Sequence, residues 1–187
     1  MKEFNLAGSV RSEFGKKAAK ALRKQELVPC NLYGVDGNVT FTVNVNDVRK
    51  MIYTPDTLVI NLNIDGKECK AVIKELQFHP VTEQLFHIDF FQVTEDKPVT
   101  VAIPVQLTGH AEGVKAGGKL QLVTRKLNVK ALYTNLPDRI VVDVTPLGLG
   151  KKLQVGELHY DNLEIVNVKT QIVAQVKATR QSAQAAK

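Results

Sequence analysis

Strict alternation of apolar and polar positions dominates this chain. Val39, Phe41, Val43 and Val45 alternate with Thr40, Thr42 and Asn44, the period-two signature of a half-buried strand. Leu58, Ile60, Leu62 and Ile64 repeat the pattern. Asp65-Gly66 then turns the chain into a further strand over 67–76, a hairpin signal. Strands are also predicted over 28–34, 86–93, 127–132, 139–145, 163–168 and 170–177. Residues 46–52 read as a short capped helix between strands. A polar, Pro-ended joint, Thr94-Glu95-Asp96-Lys97-Pro98, interrupts the pattern before it restarts with Val99, Val101, Ile103, Val105 and Leu107. Pro104 inside that run predicts an edge strand. The expectation is a mostly β protein with a few short helices. It has two β-rich domains, 1–94 and 95–177, no internal repeat, and a small, polar tail over 178–187 that predicts disorder.

One segment breaks the β pattern: 11–24, RSEFGKKAAKALRK. At about 100° per residue, Lys16, Lys17, Lys20, Arg23 and Lys24 fall within an arc of roughly 120°. Ala18, Ala19, Ala21 and Leu22 take the other side. Ala, Leu, Lys and Arg are strong helix formers, Gly15 gives a flexible start, and Pro29 bars extension. No acidic residue lies between Gly15 and Gln25, whereas a merely solvated helix intersperses both signs at i,i+4 spacing.

The charge distribution sharpens this. The 187-residue chain has a net charge of +6, yet residues 1–24 hold seven basic and two acidic residues, and 25–94 hold five basic and nine acidic. The positive charge of the first half is therefore a patch, the footprint of a polyanion. Residues 95–187 carry thirteen basic and eight acidic residues, with no face assignable from sequence. No apolar run reaches eighteen residues and the N-terminus lacks an apolar signal region, which predicts a cytoplasmic protein without membrane partners. Cys30 and Cys69 are isolated and read as free thiols.

Candidate chemistry concentrates on one strand. His87 and Asp89, two apart, point to the same face. With His79 they suggest a two-His-one-carboxylate metal site, and hence the alternative of a small metal-dependent β-barrel enzyme. Without a third ligand they are a polar pair satisfying each other. A third reading is base recognition, with Tyr33 at the end of its strand serving the same surface as the basic helix. No P-loop, nucleophile elbow or dinucleotide fingerprint occurs. Lys115-Ala-Gly-Gly-Lys119 reads as a plain turn. An enzyme is disfavoured, and no cofactor or small-molecule substrate is implied.

Several motifs together resemble a known family. Arg11, GKKAAKALRK, Val28-Pro29-Cys30-Asn31-Leu32-Tyr33-Gly34, Leu76-Gln77-Phe78-His79-Pro80 and His87-Ile88-Asp89-Phe90-Phe91 occur in the order and spacing of bacterial large-subunit ribosomal protein twenty-five. Ala116-Gly117-Gly118-Lys119-Leu120-Gln121 and the run 136–144 are similar to the second domain of its long form, the general stress protein CTC type. The resemblance implies binding to 5S ribosomal RNA in the central protuberance, beside neighbouring ribosomal proteins and RNA. It also implies a first domain that is a small β-barrel and a second that is mostly β. It implies that Arg11, Lys16, Arg23, Tyr33, His87 and Asp89 face the RNA and that Lys20, Lys24, Gln77 and His79 lie close to that surface; Gly15 and Lys17, at the start of the cationic helix, complete the expected RNA-binding set. The chain departs from the family at Lys17, where Gly is frequent, and at Ala19, Lys20 and Lys24, where Arg is frequent. Lysine neutralises phosphate but lacks the planar fork of arginine.

Overall fold

The alternating runs of the first half close on themselves. In the computed structural model, which describes residues 2–34 and 37–179, six strands form a closed barrel. They are β1 (Lys2–Val10), β2 (Leu27–Gly34), β3 (Gly37–Asn44), β4 (Leu58–Ile64), β5 (Lys67–Phe78) and β6 (Leu85–Gln92), in the order β1-β3-β2-β6-β5-β4. The β1–β4 and β2–β6 pairs are parallel and the others antiparallel. The inward positions supply the core, including Val28, Cys30, Leu32, Phe41, Val43, Ile60, Leu62, Ile88 and Phe90. The Phe41 and Phe90 rings lie 5.6 Å apart. Helix α1 (Lys16–Lys24) precedes β2, and α2 (Val45–Ile52) follows β3. The Asn44 side chain accepts from the Asn46 N–H at 2.9 Å to cap α2, whose Val48 and Met51 are buried.

β1 was not foreseen because its apolar alternation is weak. Only Leu6 is buried on it. The space a side chain at position 8 would take is filled by the Phe41 ring: a Cβ on Gly8 would lie 2.6 Å from Phe41 Cδ2. Two register shifts punctuate the β5–β6 ladder, leaving Lys74 on β5 and Phe86 on β6 without a partner. Such bulges re-aim side chains, and Phe86 is used in this way below.

The described chain divides into two compact units, residues 2–101 with 132–134 and residues 102–131 with 135–179. The second half holds β7 (Val99–Thr108), α3 (Glu112–Lys115), β8 (Lys119–Leu122), β9 (Lys126–Ala131), β10 (Ile140–Asp143), β11 (Lys152–Gln154), β12 (Glu164–Ile165) and β13 (Ile172–Lys177). These form one sheet of order β10-β7-β9-β12 and another of order β11-β13-β8. β7 is thus an interior strand, which corrects the edge position expected from Pro104. The Val105 N–H donates to the Arg125 carbonyl at 2.9 Å, so the position before it faces the β10 side. The β10 ladder begins only at the Ile140–Val105 pair, and the missing Pro104 N–H breaks no bond. The expected tail lies, from residue 180 on, outside the described residues. Among the described residues no helix is long and apolar enough to cross a membrane.

Candidate nucleic-acid interface

Gly15 precedes α1 as its N-cap, with a φ of 101° that favours glycine. None of its residues is fully buried. Ala18, Ala19, Leu22 and Arg23 are half-buried, while Lys16, Lys17, Lys20, Lys24 and Ala21 are exposed. The exposed arc is therefore almost wholly cationic. Lys16 and Lys17 stand in the first turn, where no acidic residue offsets them. Positive charge there opposes the helix dipole, so these two lysines weaken the helix unless an anion meets them.

Arg23 lies on the seam between the two faces. Its Nε and Nη2 donate to the Phe86 carbonyl at 3.3 and 3.1 Å, and its guanidinium sits 4.5 Å from the Phe86 ring centroid. The bulge explains this, because Phe86 has no partner in the β5–β6 ladder. His79 closes on the same ring, edge-on at 5.1 Å. Its Nδ1 accepts from the Val81 and Thr82 N–H groups at 3.3 and 3.1 Å. Phe86 thus joins α1, β6 and the turn after β5. Sequence reading missed it because a bulge leaves no mark on the alternation.

The other candidates share the barrel's outer face. Thr40 pairs with Asn31, Asn31 with Asp89, and Asp89 with Glu75. The Arg11 N–H donates to the Thr40 carbonyl at 3.0 Å, extending this row from β1. Gln77 stands opposite His87 in the adjacent row, and its Nε2 donates to Glu75 Oε1 at 3.4 Å. Three spacings of about 4.8 Å separate β3 from β5, so the row is roughly 14 Å wide.

A hydrogen-bond chain runs along it. The Asn31 amide donates to the Tyr33 hydroxyl at 3.1 Å, and Tyr33 donates to Asp89 Oδ1 at 3.0 Å. His87 Nδ1 lies 3.5 Å from Asp89 Oδ2. Asp89 Oδ1 is thereby hydrogen-bonded, and Oδ2 faces the His87 ring. Asn31 is a member of this network that the sequence reading did not single out, although the spacing Asn31-Leu32-Tyr33 puts both side chains on one face. The Arg11 Nε is buried and has no hydrogen-bond partner among the described residues. Cys30 lies beneath this face. Burial drives its thiol pKa far up, a backbone hydrogen bond from Ile88 and the charge of Arg11 oppose the shift, and Asp89 reinforces it.

The metal-site reading fails on geometry. Among the described residues no three His, Cys, Asp or Glu side chains converge to hold a metal ion. His79 instead spends its Nδ1 on the backbone of its own turn, as described above, and does not join His87 and Asp89.

Comparison with known proteins agrees with the sequence resemblance. Residues 6–90 match the model of the Ribosomal L25p family, and residues 98–180 match that of the Ribosomal protein TL5, C-terminal domain. The large ribosomal subunit protein bL25 of Porphyromonas gingivalis is 54% identical over 182 residues, covering 96% of this chain and 95% of that protein. Those of Phocaeicola vulgatus and Bacteroides thetaiotaomicron are 51% and 46% identical over 187 and 185 residues, each covering 96% of this chain and 94% of the relative. A barrel carrying a cationic helix and a polar strand face, followed by a second β unit, thus places the chain in the ribosomal L25p family, as a structural constituent of the large ribosomal subunit and not an enzyme.

Proposed function

We propose that this chain binds 5S ribosomal RNA through the first domain, residues 1–94, with α1 gripping phosphates and the β2–β6–β5 face reading RNA shape. Residues 95–177 form a second domain. The observation that carries this reading is Asp89. A carboxylate beside a cationic helix is repelled by phosphate, so a general polyanion binder has no use for it. Asp89 Oδ1 accepts from Tyr33 and Oδ2 faces His87 at 3.5 Å, and the remaining lone pairs of the carboxylate can accept from a base amine or a 2′-hydroxyl. Structured RNA offers such groups in loops and in its wide, shallow minor groove.

Around Asp89 the charges are arranged for backbone contact. Lys16, Lys17, Lys20 and Lys24 supply point charges along one exposed arc, which orient the RNA without reading it. Arg11 adds a half-buried guanidinium whose Nη2 donates to the Glu13 carbonyl at 3.2 Å. Arg23 has spent two N–H donors on Phe86, and three of its five remain for RNA. Gln77 and His79 border this surface.

Titration of the full chain against 5S ribosomal RNA and against an unrelated RNA duplex of equal length tests the proposal. The expected result is a preference for 5S ribosomal RNA of about a thousandfold or more, the lower end for specific nucleic-acid complexes. Equal affinity for both RNAs would refute it.

A further inference from the structure

The three-stranded sheet of the second unit has one-sided chemistry that its register makes explicit. Lys177 on β13 pairs with Lys119 on β8, and Gln175 stands between Gln121 on β8 and Lys152 on β11. Directly paired residues share a face, as do residues two apart on one strand. Lys119, Lys152, Lys177, Gln121 and Gln175 therefore occupy the same side. The opposite side, Leu120, Leu153, Ala174 and Val176, packs into the unit's core. The three lysines are exposed, and Gln175 Nε2 donates to Gln121 Oε1 at 3.2 Å.

No acidic residue lies on these three strands. Like charges directly opposite each other destabilise a ladder, and the Lys177–Lys119 pair accepts that cost. The like-charged Glu75–Asp89 pair lies on the barrel face proposed above to read RNA, whereas two other strand lysines are matched with acids. In the neighbouring sheet Lys130 pairs in register with Glu164, at 3.9 Å. On the barrel Lys70 lies 4.0 Å from Glu3. A merely solvated sheet face would follow that pattern.

We propose that this face is a second RNA-binding surface, which takes the sugar-phosphate backbone of large-subunit ribosomal RNA at two or three neighbouring phosphates. From the strand spacing and rise, the Lys152 and Lys119 backbones lie about 12 Å apart, with Lys177 between them in strand order. Lysine contributes a point charge, so contact is with backbone and carries no sequence reading. The glutamine amides add donors for phosphate or acceptors for 2′-hydroxyls. An acidic protein fits less well, because the face has none of the aromatic or Met anchors that protein interfaces concentrate. This proposal rests on membership of the ribosomal family and not on the assignment of 5S ribosomal RNA to the barrel.

The test uses the full chain with Lys119→Gln, Lys152→Gln and Lys177→Gln combined, bound to large ribosomal subunits stripped of this protein. Thermal unfolding of the variant, at or above that of the unchanged chain, shows the fold intact. Loss of three phosphate contacts flattens the slope of log affinity against log salt by about 2 to 3. In parallel, a full chain with Gln121→Cys carrying a tethered hydroxyl-radical source cuts ribosomal RNA in the assembled subunit. Those cuts are absent when the unchanged chain is taken through the same labelling. An unchanged salt slope overturns the proposal. Lost affinity without RNA cleavage from position 121 also overturns it, and assigns the face to an acidic protein. Binding of isolated 5S ribosomal RNA by an Asp89→Asn chain reads the barrel separately, so the two assignments fail independently.

Discussion

Arg23→Gln separates docking of the helix from gripping of the RNA. α1 has nine residues and none fully buried, and a helix of that length is marginal alone in water. Its hold on the barrel comes from Ala18, Ala19, Leu22 and the Arg23–Phe86 contact. A guanidinium over an aromatic ring at a part-exposed site is worth about 0.5–1 kcal/mol. Its hydrogen bonds to the Phe86 carbonyl add about 1 kcal/mol, taken below the usual range for charged donors because the site is only part-buried. The total, roughly 1.5–2 kcal/mol, corresponds to local opening about 10- to 30-fold more frequent. Hydrogen exchange of the α1 amides without RNA reads this directly: exchange accelerates by that factor while core amides of β2 and β6 change less. Lys20→Gln, on the exposed arc, leaves exchange unchanged and flattens the salt dependence of RNA binding by about 0.9. Unchanged α1 exchange in Arg23→Gln would refute the docking role and make Arg23 a phosphate contact like its neighbours.

Two further predictions follow from local chemistry. Cys30 is fully buried with its thiol pKa driven up by burial, so thiol reagents at neutral pH modify it only as fast as the barrel opens; prompt modification of Cys30 in the folded chain would contradict the packing. The Asp143 carboxyl accepts from the Thr145 hydroxyl at 2.5 Å and the Thr145 N–H at 2.9 Å, which lowers its pKa, the hydroxyl more than the N–H. This contribution to stability is present above the unfolded carboxyl's pKa and is lost as pH falls through the lower folded value. NMR titration should place the Asp143 midpoint below that of a free aspartate, and Thr145→Ala should move it up; no movement would assign the shift to another group.

Much of the barrel was legible because its strands bury one face. Val39–Val45 and Leu58–Ile64 declare themselves, since a one-residue slip would put every apolar side chain in water. β1 did not, because the barrel fills the place of a side chain at Gly8 with Phe41. β8 and β11 are four and three residues long, too short for periodicity to show, yet they frame the cationic face of the second unit. At the candidate site, the helix arc and the His87–Asp89 pair were readable from spacing alone. The position of Arg23 on the seam, the Phe86 bulge beneath it and the bridging role of Asn31 were not. Each depends on a register shift or a cross-strand pairing that joins residues more than fifty positions apart, such as Asn31 and Asp89.

The measurement that bears most directly on the central claim is binding of the full-length Asp89→Asn chain to 5S ribosomal RNA and to an unrelated RNA duplex at one salt concentration. Asn retains the shape and one acceptor oxygen but removes the negative charge that the Tyr33 and His87 contacts orient. If Asp89 recognises RNA, affinity for 5S ribosomal RNA falls by about tenfold, the loss of one charged hydrogen bond at roughly 1.5 kcal/mol. Affinity for the duplex stays the same or rises, because a repulsive charge is gone. Equal losses on both RNAs would mean that Asp89 only supports the strand face, and would contradict the account.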